Sequence, residues 1–183
     1  MLKSNLYLLS YGLPAIAISL LGLPLYIYLP TFYAQDVGLG VFVVGLVLFF
    51  ARIFDMLIDP VIGYISDSFM SKKIMMILGT TILYISFYAL THPPLNSGVF
   101  FLLFLSLGVY VAWSLLSIPY YAFASNISKS YNENTNLSSS RELFNIFGVL
   151  LALSLPYFFD VSEDAASSLL VLWNSLAIIL PIT

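Results

Sequence analysis

The sequence has no cysteine and very little charge. Without cysteine, the chain holds no disulfide framework, thiol nucleophile or cysteine-based metal site. It has six lysine and arginine residues against nine acidic ones, a net charge of −3, and no basic run of the kind that binds nucleic acid. The one histidine, His92, precedes two prolines and is interpreted as a loop residue. Since no His–carboxylate cluster or H-E-x-x-H spacing is present, the sequence predicts neither an enzyme nor a cofactor.

Hydrophobic residues dominate the composition. They make up 61% of the chain and charged residues 8%, whereas soluble domains have about 25% charged residues. The composition predicts a multi-pass membrane protein surrounded by lipid. We expect it in the cell membrane, as a bacterial inner-membrane protein. The apolar run that follows Lys3 continues to Phe32, which is too long for a signal peptide and indicates a first membrane helix.

The apolar segments predict six transmembrane helices in a single bundle, residues 1–183. A polar cytoplasmic loop is expected at 124–140, and kinks are expected at the prolines of the first helix. The expected helices cover about residues 6–32, 41–64, 74–90, 99–123, 141–159 and 167–183.

The basic residues outside the second helix fall on alternate connections. The other connections carry only acids and His92. By the positive-inside rule, both termini are predicted to be cytoplasmic. The basic residues concerned are Lys3, Lys72, Lys73, Lys129 and Arg141.

The second predicted helix carries Arg52, Asp55 and Asp59 in its interior. At about 100° per residue the three side chains share one stripe of the helix. Each costs about 2.5–3.5 kcal/mol at mid-membrane, which favours a functional role. One arginine against two carboxylates leaves a formal charge of −1, which suits a monovalent cation or a proton. The alternative is a structural ion pair. Pro60 removes the hydrogen-bond donor of the Met56 carbonyl, which becomes a possible further ligand.

A weak internal symmetry relates the first and fourth helices. The first has Ser-Tyr-Gly-Leu-Pro at 10–14 and the fourth has Ser-Ile-Pro-Tyr-Tyr at 117–121. Interrupted helices at corresponding places in two three-helix units are typical of transporters.

Several motifs together resemble the glycoside–pentoside–hexuronide:cation symporters, the melibiose-permease-like branch of the major facilitator superfamily. They are Leu-Ser-Tyr-Gly at 9–12, Ala-Arg-Ile-Phe-Asp at 51–55, Asp-Pro-Val-Ile-Gly-Tyr-Ile-Ser-Asp at 59–67, Ser-Ile-Pro-Tyr at 117–120 and Ser-Ser-Ser-Arg at 138–141. The resemblance implies an all-α fold of two six-helix halves, of which this chain is the N-terminal one, a 3+3 inverted repeat. It also implies transport of a sugar-like solute coupled to Na⁺ or H⁺ by alternating access.

The resemblance implies site residues as well. Asp55 and Asp59 take the cation (Na⁺ if the carrier is sodium-coupled), with the Ser114 hydroxyl as a further ligand. Aromatic rings near Ser114 are candidates for stacking on the solute. The expected cavity residues are Ser19, Arg52, Trp113, Ser117, Tyr120 and Arg141. The expected cytoplasmic gating loop contains Gly63, Asp67, Lys72 and Lys73.

The chain departs from the family pattern where the sugar is held. Ser19 and Ser117 replace two carboxylates, and serine binds a hydroxyl more weakly than a carboxylate does. Ile58 replaces an amide, and 68–71 replaces an arginine-rich segment. The second six helices are missing. Two alternatives therefore stay open: a truncated or degenerate non-transporting protein, and a half-transporter that pairs with a second copy.

Overall fold

The computed structural model describes residues 2–68, 70–128 and 130–181, which are mostly helical and include no strand. Phe69, Lys129 and the last two residues of the predicted sixth helix lie outside the described residues, as does the side chain of Lys3. A π-helical turn, Phe32–Asp36, follows the second helix. The α-helices are α1 Leu2–Gly12, α2 Pro14–Thr31, α3 Val41–Ser68, α4 Lys72–Thr91, α5 Val99–Ile127, α6 Tyr131–Phe158 and α7 Ala165–Ile179.

Five segments of the described chain are long and apolar enough to cross a membrane. A sixth, α7, is apolar but has 15 residues. The protein is therefore a multi-pass membrane protein, as the composition predicts. The five segments are Tyr7–Asp36, Val41–Ser68, Lys72–Thr91, Val99–Ala124 and Tyr131–Phe158.

The predicted first helix is interrupted rather than continuous. Helix α1 ends at Gly12 and α2 begins at Pro14, so the expected irregularity falls at this proline. Proline has no N–H, and its ring clashes with the carbonyl four residues earlier, so the α1 hydrogen-bond ladder cannot run through it. The Leu13 N–H still donates to the Leu9 carbonyl at 3.0 Å, which closes α1.

The loop predicted at 124–140 is wrong. Helix α5 continues to Ile127, and α6 begins at Tyr131. The Ser130 side chain caps α6 by accepting a hydrogen bond from the Glu133 N–H at 3.3 Å. Serine followed three residues later by glutamate is the spacing of a capping box. An acidic side chain in the first turn also interacts favourably with the positive end of the helix dipole. The polar residues at 131–140 are thus helical.

The predicted gating loop is also shorter than expected. Gly63 and Asp67 lie in the last turns of α3, whereas Lys72 and Lys73 lie in the first turn of α4. Only 69–71 remain between the two helices. The Met70 N–H donates to the Ile65 carbonyl at 3.1 Å and so closes the end of α3. A gating role for these residues stays a prediction.

The chain divides into two compact units, Met1–Leu29 with Ala124–Thr183, and Pro30–Phe123. Each unit takes helices from both halves of the expected 3+3 repeat, which itself stays a prediction. The first unit contains α1, α6, α7 and most of α2. In it, α1 packs against α6, and the Ser140 hydroxyl donates to the Leu8 carbonyl at 2.8 Å.

The unit Pro30–Phe123 contains α3, α4 and most of α5. Small residues let α4 and α5 approach closely: a Cβ placed on Gly79 would lie 2.9 Å from the Ala112 carbonyl oxygen, and one on Gly108 would lie 2.7 Å from the Ser86 hydroxyl. Such small-residue contacts are typical of helix packing in membranes. The π-helical turn is tied to α4 by the Tyr33 hydroxyl, which donates to the Leu90 carbonyl at 3.0 Å.

Candidate functional site

Two carboxylates lie one turn apart on α3. Asp55 is buried, with 6% of its surface exposed, and Asp59 is half-buried. Helix α3 runs through Pro60 to Ser68, so both acids belong to one continuous helix. A spacing of four residues places side chains above one another on the same face, which the sequence predicts and the structure confirms.

The Ser114 hydroxyl on α5 brings these carboxylates together. Its oxygen lies 3.2 Å from Oδ1 of Asp55 and makes a still shorter hydrogen bond with Oδ1 of Asp59. Ser114 is buried. A serine hydroxyl has one hydrogen, so it donates to only one carboxylate at a time. When both acids are ionised, the three oxygens share this one hydrogen.

Arg52 lies on the same face of α3, one turn before Asp55. Its Nη1 donates to Oδ2 of Asp55 at 2.8 Å, while 59% of the arginine side chain is exposed. The guanidinium carbon also lies 5.6 Å from the centre of the Tyr110 ring, a cation–π contact. Tyr110 is absent from the sequence predictions. Its position four residues before Ser114, on the same face of α5, is the signal that would have found it.

Three further cavity candidates lie on α5. Ser117, one turn after Ser114, is buried, as is Tyr120, while Trp113 is half-buried. These residues belong to the same unit as the two acids. Contact with a solute stays a prediction for all three.

The other two cavity candidates, Ser19 and Arg141, belong to the unit that contains α2 and α6. The Ser19 hydroxyl lies 2.6 Å from the Ala15 carbonyl and makes a very short hydrogen bond with Oδ1 of Asn145. Nδ2 of Asn145 donates to Oε2 of Glu142 at 3.2 Å. Oε1 of Glu142 accepts from Nη2 and Nε of Arg141, at 2.7 and 3.1 Å. The two predicted residues are therefore joined through two residues that the sequence reasoning missed.

The sequence did not predict a role for Glu142 and Asn145, because the predicted fifth helix began at Arg141. An acid at a supposed helix boundary next to a polar loop draws no attention. With α6 beginning at Tyr131, Glu142 is instead an acid inside a membrane-length helix. Its spacing of three residues to Asn145 is the sequence signal for a shared face.

The side chains near Asp55 and Asp59 determine whether a Na⁺ ion could bind there. Across the described ranges 2–68, 70–128 and 130–181, no three side chains of the His, Cys, Asp and Glu types group closely enough to hold a metal ion. Asp55, Asp59 and Ser114 offer two carboxylates and a hydroxyl, and hard cations prefer such oxygen donors. A Na⁺ at this site would need further oxygen from a backbone carbonyl or water.

Two comparisons with known proteins bear on this chain. A model of the family described as MFS/sugar transport protein matches residues 10–182. A curated relative, the uncharacterized symporter sll1374 of Synechocystis sp. (strain ATCC 27184 / PCC 6803 / Kazusa), is 29% identical over 141 residues, which cover 70% of this chain and 26% of the relative. The match thus spans about a quarter of the relative's length.

Proposed function

Because the chain belongs to the MFS/sugar transport protein family, whose model matches residues 10–182, we propose that it forms part of a cation-coupled symporter. Membership of this family supports solute transport as the general activity. The proposal adds that the coupling ion is Na⁺ or H⁺, that it binds between Asp55, Asp59 and Ser114, and that the solute is sugar-like.

The observation that supports this proposal is the grouping of three side-chain oxygens, from Asp55, Asp59 and Ser114, around one hydroxyl hydrogen. The two carboxylates lie close enough to share the Ser114 hydroxyl, and two ionised carboxylates held this close repel each other unless a positive charge enters. Arg52 supplies one charge through its pair with Asp55. Two acids and one arginine leave a formal −1, which a proton or a monovalent cation neutralises. A purely structural ion pair would need only one of the two carboxylates.

Cation binding would couple to transport through the α3–α5 contact. With the cation bound, the oxygens of Asp59 and Ser114 attract a common charge and hold the two helices together. With the site empty, the two α3 carboxylates repel each other and only the Ser114 hydrogen bond joins them to α5. An ion that favours one arrangement of the helices raises solute affinity for that arrangement by linkage, as alternating access requires.

The test is uptake by proteoliposomes that contain the full-length natural protein. A panel of labelled sugars is offered under an imposed Na⁺ gradient or pH gradient. We expect Asp55→Asn and Asp59→Asn each to abolish cation-stimulated uptake. Asp36→Asn makes the same chemical change at an exposed position of the same unit and should keep it. Full stimulation in both α3 variants would refute the proposed site.

We further propose that the protein lies in the cell membrane with cytoplasmic termini. A second six-helix unit, in the same polypeptide or from a second copy, would complete the cavity. Residues 1–183 contain no cysteine, so in a full-length protein freed of any other cysteine, single introduced cysteines report topology directly. Leu95→Cys should react with an impermeant maleimide in intact cells, and Ser71→Cys only after permeabilisation. The reverse pattern would contradict the orientation, and cross-linking in membranes would reveal a second copy.

A further inference from the structure

The carboxylate of Glu142 lies within the membrane-length helix α6 and is held by its neighbours. Arg141 donates two hydrogen bonds to Oε1, at 2.7 and 3.1 Å. Asn145 donates to Oε2 at 3.2 Å, and its own Oδ1 is hydrogen-bonded to the Ser19 hydroxyl of α2. A continuous chain of polar side chains therefore connects α2 to α6.

Close packing of α2 against α6 brings these hydrogen-bonded side chains together. Gly148 lies one turn after Asn145 on α6. A Cβ on Gly148 would lie 2.8 Å from the Ile16 carbonyl oxygen and 2.9 Å from the Ser19 Cβ. Only glycine permits this approach, because the backbone of α2 cannot yield as a flexible side chain can. The glycine thus places the Ser19 hydroxyl against Asn145.

The polar chain runs from a buried end to an open one. Ser19 is 5% exposed, whereas 54% of the Glu142 side chain is exposed. Both oxygens of Glu142 are oriented by fixed donors, yet the carboxylate stays accessible. A carboxylate has about four acceptor positions, and the three donors described above leave room on Oε2.

The charge of this cluster differs from that of the α3 acids. Arg141 and Glu142 balance to a formal charge of zero, whereas the α3 cluster carries −1. A balanced pair needs no further ion, so the exposed Glu142 carboxylate remains available to a neutral ligand. An oriented carboxylate beside amide and hydroxyl groups provides strong, charge-assisted hydrogen bonds to hydroxyl donors.

We propose that Glu142 binds hydroxyl groups of the transported solute, a neutral hydroxyl-rich molecule of the sugar class, and that Arg141 and Asn145 position its carboxylate. This inference rests on the proposed transport function and assigns its solute site. It supplies, from α6, the carboxylate that the sequence lacks at Ser19. The competing assignment for Glu142 is a second cation or proton site.

The experiment measures solute and cation binding separately on the full-length natural protein in nanodiscs. Equilibrium dialysis with labelled D-glucose, D-galactose, D-xylose and lactose gives the sugar affinity. Tryptophan fluorescence during Na⁺ and pH titrations without sugar gives the cation response. We expect Glu142→Gln to weaken sugar binding by about tenfold to a hundredfold and to leave the cation response unchanged.

Matched variants separate this inference from the proposed cation site. Glu133→Gln makes the same change in the first turn of α6 and should bind sugar as the wild type does. Asp55→Asn should lose the cation response; if it keeps that response while Glu142→Gln loses sugar, the cation site fails and the solute site stands. Should Glu142→Gln not fold, Glu142→Asp, one methylene shorter, is expected to bind sugar at least about threefold more weakly.

Three outcomes would overturn the inference. The first is wild-type sugar affinity in Glu142→Gln, or in Glu142→Asp where that variant replaces it. The second is loss of the cation response instead of sugar binding, which would assign Glu142 to an ion. The third is a wild-type protein that binds none of the four sugars.

Discussion

The Ser114 hydroxyl oxygen on α5 lies 3.2 Å from Oδ1 of Asp55 on α3. The two residues are 59 positions apart in the chain, so the contact is formed by packing and not by local sequence. It places a buried polar link between the two helices. Any change in the charge of the acids therefore acts directly on how α3 and α5 are held.

The first prediction concerns the hydroxyl itself. Ser114→Ala removes one oxygen ligand from the two acids and should raise the half-saturating cation concentration by about tenfold, measured by fluorescence titration. Ser106→Ala is the matched control: Ser106 is equally buried on α5, and among the described residues its hydroxyl has no hydrogen-bond partner. That variant should bind cation as the wild type does. Equal effects of both changes would argue against a ligand role for Ser114.

The second prediction concerns the sign of the Arg52 effect. Two unit charges about 4 Å apart interact by about 4 kcal/mol at an effective dielectric constant of 20, and solvent reduces this because Arg52 is largely exposed. Arg52→Gln should therefore tighten cation binding, by about tenfold, since Asp55 loses its competing positive charge. Arg52→Lys keeps the charge and should stay close to wild type.

This experiment distinguishes a cation site from a purely structural Arg52–Asp55 ion pair. If Arg52 and Asp55 only hold helices together, Arg52→Gln leaves a buried carboxylate unpaired, lowers stability and does not tighten cation binding. Weaker cation binding with normal folding would contradict the proposed site. The measurement is a cation titration beside a thermal unfolding curve of the same sample.

Sequence reasoning succeeded where one helix decides the geometry. Arg52, Asp55 and Asp59 share a face because helical periodicity fixes their relative directions whatever packs against them. Their cost in a membrane also marks them without any structure. Periodicity does not predict which helices pack together. The contact of Arg52 with the Tyr110 ring and the hydrogen bond between Ser19 and Asn145 therefore could not be predicted from the sequence.

The polar first turns of α6 show why the loop prediction at 124–140 was wrong. Residues 131–140 are polar enough to suggest a loop, yet polarity excludes only burial in lipid and not helix formation. The local signal was present in Ser130 and Glu133, whose spacing predicts a helix start. Moving that start by ten residues turns Glu142 from a boundary residue into an acid inside the helix.

A third prediction follows from the cap of α7. Hydrogen bonds from the Ser167 hydroxyl and backbone N–H hold the pKa of the Asp164 carboxyl below its ordinary value of 3.8. A lowered pKa in the folded protein means that ionised Asp164 adds stability above pH 3.8, and this stability is lost as the pH falls below that value. Asp164→Ala should lower the unfolding temperature at neutral pH, and the difference should shrink under acid conditions.

Glu163→Ala is the control for that measurement, because it removes the neighbouring exposed acid without touching the cap. It should leave the unfolding temperature nearly unchanged across the same pH range. A constant difference between wild type and Asp164→Ala from neutral to acid pH would show that the carboxylate charge does not act through the cap.

The last prediction tests the close approach of α2 and α6. Gly148→Ala introduces a Cβ within 3 Å of α2 backbone atoms and should destabilise the protein by about 1–3 kcal/mol through overpacking. It should also weaken sugar binding, because Ser19 is pushed away from Asn145. Gly45→Ala, on α3, meets no described atom within 4 Å and should be neutral or stabilising by about 0.5–1 kcal/mol. Unfolding midpoints and sugar affinities of both variants provide the comparison. If Gly148→Ala matched Gly45→Ala in both, packing against α2 would not position the polar side chains, and Glu142 would have to be oriented by its α6 neighbours Arg141 and Asn145 alone.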